Sequence, residues 1–171
     1  MKRLLCLLLP FSLMAVPAQV VVIPNAETSV EGEALSLKGR ERAVALDPFF
    51  QGTPSVLFFG LPVAIFANES TKETVSSLAK AIEVSITDDF VSSQALTKEI
   101  LTNPDYEGRM VLACLPQEEI AEFAKMLGAK KAPKKWSKDS HDRVWIITFD
   151  EKEKIVFNDL PQKLLFGDSE K

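Results

Sequence analysis

The chain has 171 residues with 24 acidic and 20 basic side chains, a formal net charge of −4, two cysteines and one histidine. A chain of this length makes one domain of ordinary size and can bury a sizeable core. Two cysteines and one histidine cannot supply the four ligands of a structural zinc site, and a single histidine excludes catalysis by a histidine pair. The acidic balance gives no electrostatic case for binding nucleic acid, and the sequence indicates no cofactor.

The first 18 residues have the features of an export signal. A basic start is followed by an apolar run, Leu4–Val16, and then by small residues up to Ala18. We therefore expect cleavage after Ala18, which leaves residues 19–171 as a single domain that is periplasmic or secreted and has no membrane span. A retained N-terminal anchor is the alternative, but a spanning helix needs about 20 apolar residues. Cys6 lies near the start of the apolar run, which argues against a lipoprotein.

The rest of the chain alternates between apolar runs and helical patterns. In chain order we predict a buried strand at 19–23, a helix capped by Ser36 that ends before Pro48, a strand at 62–67, helices at 71–82 and 92–101, a strand at 109–115, a helix from Pro116 to Gly128, and two strands at 143–149 and 155–157. Strands and helices in alternation predict an α/β fold, a three-layer sandwich with a mostly parallel sheet and a C-terminal hairpin.

Ligands of such sheets bind outside the carboxyl ends of the strands. Three loops, 24–27, 68–70 and 115–118, follow the predicted parallel strands and should converge on one surface. They contain no histidine, no arginine and no glycine-rich loop that could hold a phosphate.

Two stretches of the sequence match motifs of a known family. Val21–Glu27 is a strand that ends in Pro-Asn-Ala-Glu, and Leu35–Ala43 reads Leu-Ser-x-x-Gly-x-x-x-Ala. The order of segments resembles the histidine phosphatases, or phosphoglycerate mutase-like superfamily, whose members open with a strand ending in Arg-His-Gly or Arg-His-Ala-Glu. The resemblance covers nearly all of residues 19–171 and implies the phosphoglycerate mutase-like fold.

The resemblance also implies that the catalytic positions are degenerate. Members form a phosphohistidine on the first motif's histidine, hold the phosphoryl group with two arginines and a second histidine, and protonate the leaving group with a carboxylic acid. The matching positions here are Pro24, Asn25, Ser70 and, within one residue, Gln117, while Glu27 could serve as the acid. Asparagine has no basic nitrogen to attack phosphorus. We therefore expect a pseudophosphatase that acts by binding a protein or small-molecule partner.

Two enzymatic alternatives stay open on sequence grounds. One is an active phosphoester hydrolase with atypical residues, and the other is a hydrolase that uses Cys114 with His141 as its base. Cys114 ends a buried strand before a helix N-terminus, where a thiol pKa can fall, although a buried thiol acting as a small hydrophobe is more common. His141 lies in a polar connection that we expect to face solvent. The deciding observation is whether an arginine and a basic nitrogen meet at the strand ends.

Two further segments have open roles. Residues 125–143 carry seven basic and two acidic side chains, which suits either a site for an anionic surface or a solvated charged loop. Residues 52–60 are apolar for a connection, so they either pack on the sheet or offer a patch to a partner.

Overall fold

The computed structural model describes residues 16–30, 32, 34–52, 57–137, 139–150 and 154–169. Residues 1–15, which make up most of the expected export signal, lie outside the described part, so the signal stays a prediction. The described elements are β1 Gln19–Pro24, α1 Leu37–Gly52, β2 Ala64–Ala67, α2 Lys72–Ala81, β3 Ile86–Thr87, α3 Ser93–Thr102, β4 Met110–Leu115, α4 Gln117–Met126, β5 Arg143–Phe149 and β6 Ile155–Pro161. A short 3-10 turn, Pro104–Tyr106, precedes β4.

One six-stranded sheet organises the fold, in the order β3-β2-β4-β1-β5-β6. The pairs β1–β4, β2–β4 and β2–β3 are parallel, whereas β1–β5 and β5–β6 are antiparallel. The sheet is therefore mostly parallel and closes with a C-terminal hairpin, which confirms the fold class predicted from the sequence.

Helices cover both faces of the sheet and make the three layers. Val20 and Val22 of β1 pack in a core with residues of α3 and α4, whereas Val21 and Ile23 pack with residues of α1 and α2. Successive strand residues point to opposite faces, so a strand between two helical layers needs apolar residues at every position. The unbroken β-branched run of β1, fully buried, meets that need.

The first helix differs from its prediction because it continues through Pro48 to Gly52. Proline removes one hydrogen bond inside a helix, here the bond to the carbonyl of Val44. Val44 and Pro48 are both exposed, so water can bond that carbonyl. The added turn buries Phe50, whose ring stacks on Phe58 with centroids 4.9 Å apart, and this packing favours the longer helix.

The N-terminus of α1 agrees with the sequence. The Ser36 hydroxyl accepts a hydrogen bond from the Gly39 amide at 3.0 Å, as an N-cap residue does. Elsewhere, β6 extends to Pro161, four residues beyond the prediction, and the two-residue strand β3 has no counterpart in it. Among the described residues, no helix combines the length and the apolar content that crossing a bilayer requires.

Candidate functional site at the strand ends

The carboxyl ends of the three predicted parallel strands do meet at one edge. Pro24 of β1 is in register with Leu115 of β4, and Ala67 of β2 is in register with Cys114. The loops that follow these strands therefore leave the sheet side by side. This edge is where ligands of open α/β sheets bind, so we take it as the candidate site.

Asn25, at the position of the family's first histidine, contacts the only histidine of the chain. The Asn25 amide donates to the carbonyl of Leu115 at 3.3 Å, and its own carbonyl lies 2.7 Å from Nδ1 of His141. A carbonyl cannot donate, so Nδ1 carries the proton and Nε2 is the free nitrogen of the neutral ring. His141 is partly buried and hydrogen-bonded, in contrast to the solvent-facing position that we expected.

The strand pairing explains how a residue so late in the chain reaches Asn25. β5 runs antiparallel beside β1, with Trp145 in register with Val22. The residues just before β5 therefore lie beside the residues just after β1. His141 precedes β5 by one residue, Asp142, and so falls at the strand-end site.

Gln117, at the approximate position of the family's second histidine, belongs to the same cluster. Its side-chain nitrogen lies 3.3 Å from Nδ1 of His141 and 3.3 Å from the carbonyl of Ser140. Because Nδ1 is itself a donor, the Gln117 amide donates to Ser140. The Trp136 indole donates to the same carbonyl at 2.8 Å. The structure thus brings Asn25, Gln117 and His141 together: His141 bonds to the Asn25 carbonyl, and Gln117 bonds to the carbonyl of Ser140, the residue before His141.

Ser70, at the position of an arginine in the family, stays in the cap of α2. Its hydroxyl donates to the side-chain oxygen of Asn68 at 2.8 Å, and that oxygen also accepts from the backbone amides of Ser70 and Thr71. Asn68 therefore satisfies the amides of the turn that leads into α2. Ser70 is exposed and supplies no cation.

Glu27, the expected acid, forms a buried ion pair. Arg42 donates to both of its carboxylate oxygens, at 2.9 and 2.8 Å, and Lys38 lies 3.2 Å away. Burial by itself would raise the pKa of Glu27, but the hydrogen bonds and charge of Arg42, helped by Lys38, lower it to about 2. Glu27 is therefore ionised at neutral pH, and this pairing argues against a role as proton donor.

Arg42 was not singled out from the sequence, although it links the site to the C-terminal segment. Its side chain is 2% exposed, and its other edge donates to both oxygens of Asp168, at 2.9 and 2.8 Å. Asp168 also accepts from the backbone amides of Leu164 and Leu165. One signal was available: Arg42 falls on the buried face of α1 beside Ala43, and a charge on such a face needs a partner.

Cys114 has the surroundings of a structural thiol. It is fully buried, and its sulfur bonds to the carbonyls of Pro24 and Thr71 at 3.5 and 3.7 Å. Burial raises the pKa of the Cys114 thiol to about 12. The nucleophile of a cysteine hydrolase is a thiolate, so this position does not favour the reaction with His141.

A cavity of about 810 Å³ lies at the opposite edge of the sheet, away from these residues. Its lining includes Ala64 at the start of β2, Arg109 just before β4, and Tyr106. The described residues contain no group of three or more His, Cys, Asp or Glu side chains that could hold a metal ion.

Comparisons with known proteins identify the fold. The chain matches the SixA protein of Agrobacterium tumefaciens, named as a candidate phosphohistidine phosphatase, with a TM-score of 0.52, 13% identity, and coverage of 84% of this chain and 98% of that one. The fold is that of the histidine phosphatases. A mycobacterial glucosyl-3-phosphoglycerate phosphatase gives a TM-score of 0.58 at 11% identity, with 84% and 95% covered. Phosphoglycerate mutase from Plasmodium falciparum gives 0.53 at 10%, with 86% and 92% covered.

No protein family model and no curated protein sequence matches the chain. The likeness is therefore structural, over nearly the full length of the three solved proteins, and it supports the resemblance drawn from the sequence motifs.

Proposed function

We propose that this protein is an exported pseudophosphatase, which keeps the histidine phosphatase fold and acts by binding a protein or small-molecule partner. The observation that carries the proposal is that only one of two required groups, a basic nitrogen and a free arginine, lies at the strand ends. A basic nitrogen is present there, because His141 reaches Asn25. Among the described residues, no arginine is available there.

The four arginines of the described residues are engaged or lie elsewhere. Arg42 is held between Glu27 and Asp168, Arg40 donates to the carbonyl of Leu35, Arg143 donates to Asp159, and Arg109 precedes β4 at the opposite edge of the sheet. Phosphoryl transfer depends on cations that hold the phosphate oxygens as charge develops. An imidazole without such cations is a poor phosphotransfer site.

The hydrogen bonds of the site also support the absence of phosphoryl transfer. The Nδ1 proton of His141 is used by Asn25, and the Gln117 amide is used by Ser140. The carboxylates of Glu69, in the loop after β2, and Glu118, in the first turn of α4, would oppose a phosphate dianion. A neutral or cationic group of a partner suits this surface better than a phosphoester does.

Turnover of phosphoesters tests the proposal. The purified protein and its Asn25→Ala and His141→Ala variants are assayed against an aryl phosphate and several sugar phosphates, with an active histidine phosphatase as the positive control. We expect the rates of all three proteins to equal the buffer blank. We also expect vanadate to leave the thermal unfolding midpoint unchanged, because no arginine of the described residues is free at the strand ends to bind it.

Turnover that Asn25→Ala abolishes would overturn the proposal. Turnover that His141→Ala abolishes would instead establish the rival function, an active hydrolase with atypical residues, in which the free Nε2 of His141 is the reactive nitrogen. The position of His141 is the one observation that favours this rival.

A further inference from the structure

The last turn of α4 and the connection that follows it carry a concentration of positive charge. Residues 123–137 contain five lysines and no acidic residue. All five are exposed, and none forms an ion pair within the described part of the chain. We call them the lysine surface: Lys125, Lys130, Lys131, Lys134 and Lys135.

Buried residues on both sides hold the lysine surface in place. Gly128 ends α4 with a φ of 87°, and Leu127 and Ala129 are 2% and 3% exposed in the core that α3 and α4 form with the sheet. At the other end, the ring of Trp136 packs on Trp145 with centroids 4.8 Å apart. Apolar residues therefore point inward along this segment while its lysines point outward.

The lysine surface stands in contrast to the rest of the protein. The whole chain has a net charge of −4, so the residues outside this segment sum to −9 (−4 − 5). A molecule with such an asymmetry is attracted to a negatively charged surface through one side and repelled through the others. The lysine surface would therefore fix the orientation in which the protein approaches.

The residue types favour a lipid surface over other anionic partners. Every positive charge is a lysine, and the two large aromatic side chains in the segment, Phe123 and Trp136, are buried. Protein interfaces depend on exposed aromatic and arginine anchors, and single-stranded nucleic acid stacks on exposed aromatic rings. Exposed lysines are attracted to anionic lipid headgroups without needing stacking or bidentate geometry, so a group of five lysines without such anchors suits a lipid surface.

We propose that the lysine surface docks the protein on a membrane rich in anionic phospholipids. Docking would bring the strand-end site to the same membrane, because Trp136 and Gln117 donate to one carbonyl, that of Ser140. This proposal does not depend on whether the site is catalytically inactive, since the lysines take no part in the site's hydrogen bonds.

Vesicle cosedimentation with a matched pair of variants tests the docking. Lys134→Gln/Lys135→Gln removes two charges from the lysine surface, and Lys80→Gln/Lys98→Gln removes two exposed charges from α2 and α3. The probe is vesicles of equal parts phosphatidylglycerol and phosphatidylcholine. Residues 1–18 are the same in all the proteins, so any binding through that segment, including its Lys2 and Arg3, is equal for the two variants, and vesicles of phosphatidylcholine alone give the charge-independent baseline.

Each lysine near an anionic surface strengthens binding about fivefold, so the first variant should bind about 25-fold more weakly and the second like wild type. Binding should also weaken as salt is added. The proposal fails if wild type does not prefer the anionic vesicles or if both variants lose binding equally. It also fails if a DNA duplex or polyglutamate binds more tightly at the same salt, because the surface would then serve nucleic acid or an acidic protein.

Discussion

Gly39 sets how closely the first helix approaches the strand-end site. A Cβ atom at this position would overlap the backbone carbonyl oxygen of Glu27. That carbonyl accepts a hydrogen bond from the Ser36 amide at 2.8 Å, so the helix start and the site loop are tied together at this point. The glycine of the Leu-Ser-x-x-Gly motif therefore has a packing role.

We predict that Gly39→Ala lowers the free energy of unfolding by about 1–3 kcal/mol, because overpacking against a backbone atom outweighs the better helix propensity of alanine. Gly52→Ala is the matched control, since it lies in the same helix with no atom within 4 Å of the added Cβ. The control should change stability by less than about 0.5 kcal/mol. Urea unfolding midpoints measure both, and equal effects would contradict the packing role.

At the scale of elements, most helices and strands can be predicted from their own residues. Each strand core and each helix with a clean apolar spacing was predictable because its burial shows in its own residues. The meeting of His141 with Asn25 was not predictable, since it depends on β5 lying antiparallel to β1. The extension of α1 beyond Pro48 likewise depends on a contact outside the helix, the stacking of Phe50 on Phe58.

The ion pairs of Arg42 fasten the C-terminal segment to α1, and they make this attachment sensitive to acid. Burial by itself would raise the pKa of Asp168, but the hydrogen bonds and charge of Arg42 lower it to about 2 from an ordinary value of 3.8. The pKa of Glu27 is lowered to about 2 from 4.5. Carboxylates with a lowered folded-state pKa stabilise the fold fully above their ordinary values and lose that contribution as the pH falls toward 2.

We predict that unfolding free energy declines between about pH 5 and pH 2, and that Asp168→Asn makes this decline shallower by about 2 kcal/mol. The variant should also be less stable at neutral pH, because Arg42 then lacks one buried carboxylate. Asp88→Asn is the control: it removes an exposed partner of Lys72, and an exposed pair contributes little. If the unfolding free energy of Asp168→Asn fell with pH as steeply as that of wild type, the Arg42–Asp168 ion pair would not be the cause of the acid sensitivity.

At the scale of the whole molecule, the folded structure limits when the expected signal cleavage can occur. Cleavage after Ala18 would cut the chain just before β1. In the folded protein this junction is already paired, since Gly108 donates to the carbonyl of Val16 and Phe149 donates to the carbonyl of Ala18. Backbone held in this way is poorly accessible to a protease, so we expect any cleavage after Ala18 to precede folding, as happens when a chain crosses a membrane unfolded.

The new N-terminal residue would be Gln19, whose side chain is 1% exposed and donates to the carbonyl of Leu57 at 2.9 Å while accepting from the amide of Phe59. We therefore predict that mature protein from a bacterial host is extracytoplasmic and begins at Gln19, which N-terminal mass spectrometry of cell fractions would establish. Ala18→Glu should block cleavage, because signal peptidase requires a small residue there, and leave the precursor membrane-associated. A cytoplasmic protein that retains Met1–Ala18 would contradict export while leaving the fold and the strand-end site as described.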